Sequence, residues 1–106
     1  MTKRGATIRR VDGNQAEIVS ALRAIGATVQ HLHTIGKGCP DLLVGFRGEN
    51  YLLEVKKDSK AKLTPDEVGW QSVWKGSIFT VSSVTEAVYR VSMGSAVEDG
   101  MDKAGL

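Results

Sequence analysis

The sequence predicts a single α/β domain in the order helix, three strands, helix, strand, helix. Two short apolar, β-branched runs announce the centre of the sheet: Asp41-Leu42-Leu43-Val44-Gly45 and Tyr51-Leu52-Leu53-Glu54-Val55-Lys56, with Gly48 in the link between them. Stripes of helical period flank these runs, Ile18, Val19, Leu22 and Ile25 before them and Val84, Ala87, Val88 and Val91 after them. A chain of 106 residues with 42% hydrophobic content is enough for one modest core.

The elements follow in order. A first helix is expected from Gly13 to Ile25, with Asp12 as its N-cap and Gly26 past its end. Ala27 to His33 reads as a strand, Gly36 to Gly38 as a flexible turn, and the hairpin comes next. With Phe46-Arg47-Gly48-Glu49 as the loop, Gly45 faces Asn50, Leu43 faces Leu52 and Asp41 faces Glu54. Thr64 and Glu67 have capping-box spacing, Pro65 sits in the first turn, and Leu63 is placed to staple against Val68. Trp70, Val73 and Trp74 form the apolar face of that second helix, which Gly76 ends. Ile78 to Val81 is a short strand, and Ser83 with Glu86 caps a last helix. Glycine, serine and charge dominate residues 94–106, which read as a disordered tail.

Charge narrows the function. The net charge is only +2, but the tail holds Glu98, Asp99 and Asp102 against Lys103, leaving 13 basic and 9 acidic residues over 1–93. Lys3, Arg4, Arg9 and Arg10 form a basic arm over residues 1–11, and Lys56, Lys57, Lys60 and Lys62 cluster after the hairpin. Such clusters suit a polyanion gripped on both sides of a site, although either alone also fits a solvated segment. No apolar run approaches the ~20 residues of a membrane span, and no signal-peptide stretch opens the sequence. The single cysteine, Cys39, fits a reducing cytoplasm and reads as a small residue at a strand entrance rather than a reactive one.

The candidate site comes from charges placed where charges are costly. Asp41, Glu54 and Lys56 interrupt apolar strands, and side-chain alternation puts all three on one face at one end of the hairpin. Two opposed carboxylates repel unless a cation lies between them, and hard oxygen ligands favour Mg²⁺ or Mn²⁺ over zinc. Gln15 shares the buried side of the first helix with Ile18 and Leu22. It is either a capping-box partner of Asp12 or a member of the site. His31 and His33 lie two apart on a strand, but only Cys39 offers a third soft ligand, so a structural zinc is not expected. Trp70 and Trp74 are candidates for base stacking, with core packing the favoured reading of their helical spacing.

Pro40-Asp41, twelve residues, then Glu54-Val55-Lys56 resembles the motif of the PD-(D/E)XK nuclease superfamily. Asn14-Gln15-Ala16-Glu17-Ile18-Val19, Leu32-His33, Gly36-Lys37-Gly38-Cys39-Pro40-Asp41, and Leu63-Thr64 with Trp70 and Trp74 resemble more closely the small stand-alone VRR-NUC proteins often encoded by phages. Those are similar to Holliday-junction resolvases. The resemblance covers residues 12–92 and implies a restriction-endonuclease-like α-β-β-β-α-β core over residues 12–93, with a mixed central sheet flanked by helices. It implies a structure-selective DNA endonuclease, with Mg²⁺ held by Asp41, Glu54 and the Val55 carbonyl and with Lys56 acting on the attacking water. His33 matches the family pattern as a phosphate contact, and the basic groups add expected DNA contacts from Lys37, Lys57, Lys60, Lys62, Arg9 and Arg10. A homodimer is expected, as in the stand-alone proteins the chain resembles, and a cytoplasmic location, that of the host for a phage protein. Similar resolvases often carry glutamate at the position of Gln15, and many relatives have glutamine where Glu67 stands, here read first as a helix cap. The alternative is a binding protein that keeps the fold without cleaving.

Overall fold

The computed structural model describes residues 13–94, and the basic arm, Asp12 and the acidic tail lie outside that range. Seven elements appear in the expected order: α1 (Gln15–Ala24), β1 (Thr28–His31), β2 (Leu42–Phe46), β3 (Glu49–Val55), α2 (Pro65–Val73), β4 (Ile78–Val81) and α3 (Val84–Met93). The strands form one sheet in the order β1-β2-β3-β4. The first three are antiparallel, and β4 joins β3 in parallel after the crossover through α2, so the sheet is mixed.

The hairpin register is the expected one, with Gly45 opposite Asn50 and Leu43 opposite Leu52. Its turn is tighter than the four-residue loop read from the sequence, because Phe46 pairs with Glu49 and only Arg47-Gly48 is left. Both residues have positive φ, 53° and 81°. That conformation matches the right-handed twist of the flanking strands, and Gly48 supplies half of it at no steric cost.

Alternation divides the sheet into two unlike faces. Leu42 and Val44 of β2, with Tyr51, Leu53 and Val55 of β3, turn toward Ile18, Val19 and Leu22 of α1 and Ala87 and Val91 of α3. This is the core. At about 25 cal/mol per Å² of apolar surface removed from water, these aliphatic side chains supply most of the driving force for folding. The opposite face carries Asp41, Leu43, Leu52, Glu54 and Lys56, and α2 lies over part of it.

Four local expectations are revised. Helix α1 starts at Gln15 with Asn14 as the N-cap, so Gln15 is its first residue and cannot be the third-position partner of a capping box with Asp12. Strand β1 ends at His31, since the chain turns at His33 to Ile35, where the Ile35 N–H donates to the Leu32 carbonyl. The Thr64/Glu67 capping box forms in full, but Val68 stays 52% exposed, so no staple buries it. Most tellingly, α2 contributes no buried residue. Trp70 and Trp74 are not core; their rings stack on each other at 4.6 Å, and Trp74 caps the helix end on extended backbone, 44% exposed. The two indoles supply each other's packing partner, leaving an apolar trough between them and Leu32, Leu43 and Leu52.

Candidate active site

The charged residues singled out from the sequence meet at the ends of β2 and β3. Asp41 lies one residue before β2, where its N–H donates to the Leu53 carbonyl and extends the ladder toward Glu54. Its carboxylate is held by the chain itself: Oδ2 accepts from the Val55 N–H at 2.7 Å. Glu54 is 3% exposed, and its Oε2 lies 3.6 Å from the Lys56 ammonium. Its Oε1 is buried with no hydrogen-bond partner among the described residues. An unpaired buried carboxylate oxygen is expensive, and the cost appears in the titration. Burial first, then the Asp41 and Glu67 carboxylates, push Glu54 from the ordinary 4.5 up to about 9, with only Lys56 opposing.

Glu67 is the member of this cluster that the sequence reading placed elsewhere, as a cap. Its Oε1 does close the capping box, accepting from the Thr64 N–H at 2.9 Å, but it also accepts from Lys56 Nζ at 2.7 Å. For Lys56, burial works against the charge, yet the hydrogen bond and charge of Glu67, with Glu54, outweigh it and hold the ammonium above its ordinary value. Glu67 is likewise opposed by burial and is pulled below the ordinary carboxylate range by Lys56 and the Thr64 N–H. Both partners therefore shift in the sense that favours the charged pair. A third acid eleven residues beyond Lys56, at the start of a capped helix, was the only sequence signal for this contact.

Two further residues lock the cluster in place. Asn14 donates through Nδ2 to the carbonyls of Lys56 (2.9 Å) and Ser82 (2.8 Å), tying the start of α1 to the ends of β3 and β4. Gly38, expected in a flexible turn, sits with φ 87° against the first turn of α2, where a Cβ would overlap the Asp66 carbonyl. The loop leading to Asp41 and the helix carrying Glu67 are thus in close backbone contact.

The remaining candidates are more dispersed. Gln15 is buried, its amide nitrogen 3.4 Å from His31 Nδ1. The rings of His31 and the half-buried His33 meet edge to face at 5.8 Å. Lys57, Lys60 and Lys62 are exposed on the segment leaving β3, where Asp58 Oδ1 accepts from the N–H groups of Lys60 and Ala61. Lys37 is exposed in the loop before Asp41. Arg9 and Arg10 lie outside the described residues.

No family model matches the sequence, and no curated protein matches it. Among solved structures, one described as "VRR_NUC domain" superposes with a TM-score of 0.63 at 28% identity, over 74% of this chain and 89% of that one. This is the VRR-NUC nuclease fold. In this chain the hairpin strands bring Asp41, Glu54 and Lys56 to one end of the sheet, where Asn14 at the start of α1 and Glu67 of α2 meet the Lys56 backbone and side chain.

The donor set suits a hard divalent cation. Asp41 and Glu54 are the carboxylates that could hold such an ion, although among the described residues no three His, Cys, Asp or Glu side chains gather as a metal-holding group. Mg²⁺ is commonly held in this way, keeping waters and substrate phosphate in its remaining positions. The unpartnered Glu54 Oε1 is the atom that gains most from such an ion.

Proposed function

We propose that this protein is a divalent-metal-dependent DNA endonuclease that hydrolyses phosphodiester bonds in branched DNA, including four-way junctions. The nuclease reading is supported by the VRR-NUC fold. The single observation that carries the metal is Glu54, a buried carboxyl group near that of Asp41, with an oxygen that no donor among the described residues satisfies.

In this reading Asp41, Glu54 and the Val55 carbonyl would hold Mg²⁺, with Mn²⁺ as a substitute, and such an ion would supply a more acidic water and positive charge beside the phosphodiester. The chain's own groups do the rest. The Val55 N–H fixes one Asp41 oxygen at 2.7 Å, so that carboxylate is oriented before any ligand arrives. Lys56, 3.6 Å from Glu54, places its ammonium where it can orient the attacking water and offset charge developing on the phosphate. Gln15, beside His31, helps shape the site from the helix side. Lys37 and His33 before Asp41, and Lys57, Lys60 and Lys62 after Lys56, grip phosphates on either side, joined by Arg9 and Arg10 of the arm. The nuclease unit spans residues 12–93 and works in the cytoplasm. No helix of the described residues is long and apolar enough to cross a membrane.

Supercoiled plasmid and a labelled four-way junction test the activity directly. Nicking is expected with Mg²⁺ or Mn²⁺, none in chelator, and none from Asp41→Ala under any condition. Junction binding without cleavage at any metal concentration would instead identify a non-cleaving binding protein.

The protein acts as a homodimer, because opposed cuts in a junction need two sites related by a two-fold axis. The surface for it is the strip along α2: Val68, Val73 and Trp74, 52%, 69% and 44% exposed, beside Ile35 at 61% and flanking a trough of about 410 Å³. Val73→Asp is expected to yield a monomer in light scattering and to lose paired junction cuts while still nicking plasmid. A wild-type mass near 11.4 kDa for the free protein, with no dimerisation on junction DNA, would remove this arrangement.

A further inference from the structure

We propose that Glu67, apart from its part in the capping box of α2, is a positioning residue for Lys56. The proposal rests on the nuclease reading above and extends it to a residue outside the Asp-Glu-Lys motif. One oxygen does both jobs. Oε1 accepts from the Thr64 N–H at 2.9 Å and from Lys56 Nζ at 2.7 Å, while the same ammonium is 3.6 Å from Glu54. The shorter contact is to the helix rather than to the neighbouring strand residue, so Glu67 decides where the ammonium rests. A lysine side chain has four rotatable bonds, and holding its tip over the site costs entropy that a fixed, part-buried acceptor offsets.

Helix α2 has little else to anchor it at this end. It contributes no buried residue, and its N-terminal turn touches the rest of the site through Glu67 and through the backbone at Gly38. Glu67 thus links Lys56 to the same helix turn that the Asp41 loop touches at Gly38. A carboxylate serves here where a neutral amide would hold the ammonium less firmly, because a charge-assisted hydrogen bond is about twice as strong as a neutral one.

Substitutions separate capping from positioning. Glu67→Ala removes both roles. Thr64→Ala deletes only the reciprocal half of the cap, the Thr64 hydroxyl that accepts from the Glu67 N–H at 3.2 Å, and keeps the Lys56 contact. Glu67→Gln keeps an acceptor for both donors and guards against a Glu67→Ala chain that fails to fold. Glu67→Ala is expected to lower kcat on junction DNA by about tenfold or more with KM unchanged, Glu67→Gln to recover part of that loss, and Thr64→Ala to stay within about twofold of wild type despite a similar drop in melting temperature. The ε-methylene and ammonium NMR signals of Lys56 report its position without any turnover. They should be inequivalent and ordered in the wild type and in Thr64→Ala, and averaged in Glu67→Ala. Unchanged Lys56 signals in Glu67→Ala would overturn the proposal, as would parallel losses of kcat in Thr64→Ala and Glu67→Ala. If the wild-type chain cleaves no DNA, the nuclease reading fails by itself and the Lys56 signals alone decide whether Glu67 holds it.

Discussion

Glu54→Gln is expected to abolish cleavage and, in metal-free buffer at neutral pH, to raise the melting temperature. The two effects share one cause. Glu54 is buried beside Asp41 and Glu67, and its carboxyl is pushed up to about 9 from an ordinary 4.5. The metal-free native state therefore binds a proton that the unfolded chain gives up. Stability from this group is fully present below pH 4.5 and is lost as pH rises toward 9. Glutamine has nearly the same shape and never ionises, so the variant's melting temperature should fall less than the wild type's across that window. A gain of about 1 kcal/mol corresponds to about 4–8 °C in a domain of this size. Mg²⁺ should stabilise the wild type increasingly as pH rises, because it binds the ionised carboxylate, and should do little for the variant. Activity should fall by about a thousandfold or more, since one of two acidic ligands is gone. Thermal scans at pH 5, 7 and 9, with and without Mg²⁺, check the sign. A Glu54→Gln protein less stable than wild type at pH 8 without metal would show that Glu54 is a structural carboxylate rather than a group held in wait for a cation.

Much of this arrangement was legible in the sequence because its causes are local or periodic. Strand alternation and a glycine-containing link fixed the hairpin register from Leu42 opposite Leu53 to Phe46 opposite Glu49, and with it the approach of Asp41 to the Glu54 end of β3. Thr64-Pro65-Asp66-Glu67 carried a capping box in four consecutive residues. What stayed hidden depends on long-range contact. Asn14 reaches carbonyls 42 and 68 residues away, and no local pattern distinguishes it from an ordinary residue at a helix start. The apolar spacing on α2 was clear, but periodicity states only that a face is apolar. It does not say whether this chain or another covers it, and within the described residues the Trp70/Trp74 face stays largely open. Glu67 was read as a cap because that role is visible in sequence, whereas its bond to Lys56 needs the helix laid over the strand end.

Gly38 is where two such long-range facts meet, and Gly38→Ala is expected to be among the most damaging single-methyl changes in the chain. Its φ of 87° is one that alanine rarely adopts, and the added Cβ would overlap the Asp66 carbonyl of α2. Backbone strain of this kind costs about 1–3 kcal/mol. Overpacking against rigid backbone adds about 1–3 kcal/mol more, because the obstacle is a main-chain carbonyl in a capped turn and not a side chain that can rotate away. Gly48 provides the comparison: its φ is 81°, but nothing lies within 4 Å of its would-be Cβ, so Gly48→Ala carries the strain without the overlap. The relief open to Gly38→Ala is to push α2 outward, which draws Glu67 away from Lys56 and shifts the loop that ends in Asp41. Turnover should therefore drop with stability in Gly38→Ala and remain near wild type in Gly48→Ala, whose turn lies at the other end of the hairpin. Denaturant midpoints and single-turnover cleavage of the two variants provide the check. Equal destabilisation with unimpaired turnover in both would mean that the Gly38 contact only packs the loop, and that the first turn of α2 is free to move without disturbing the site.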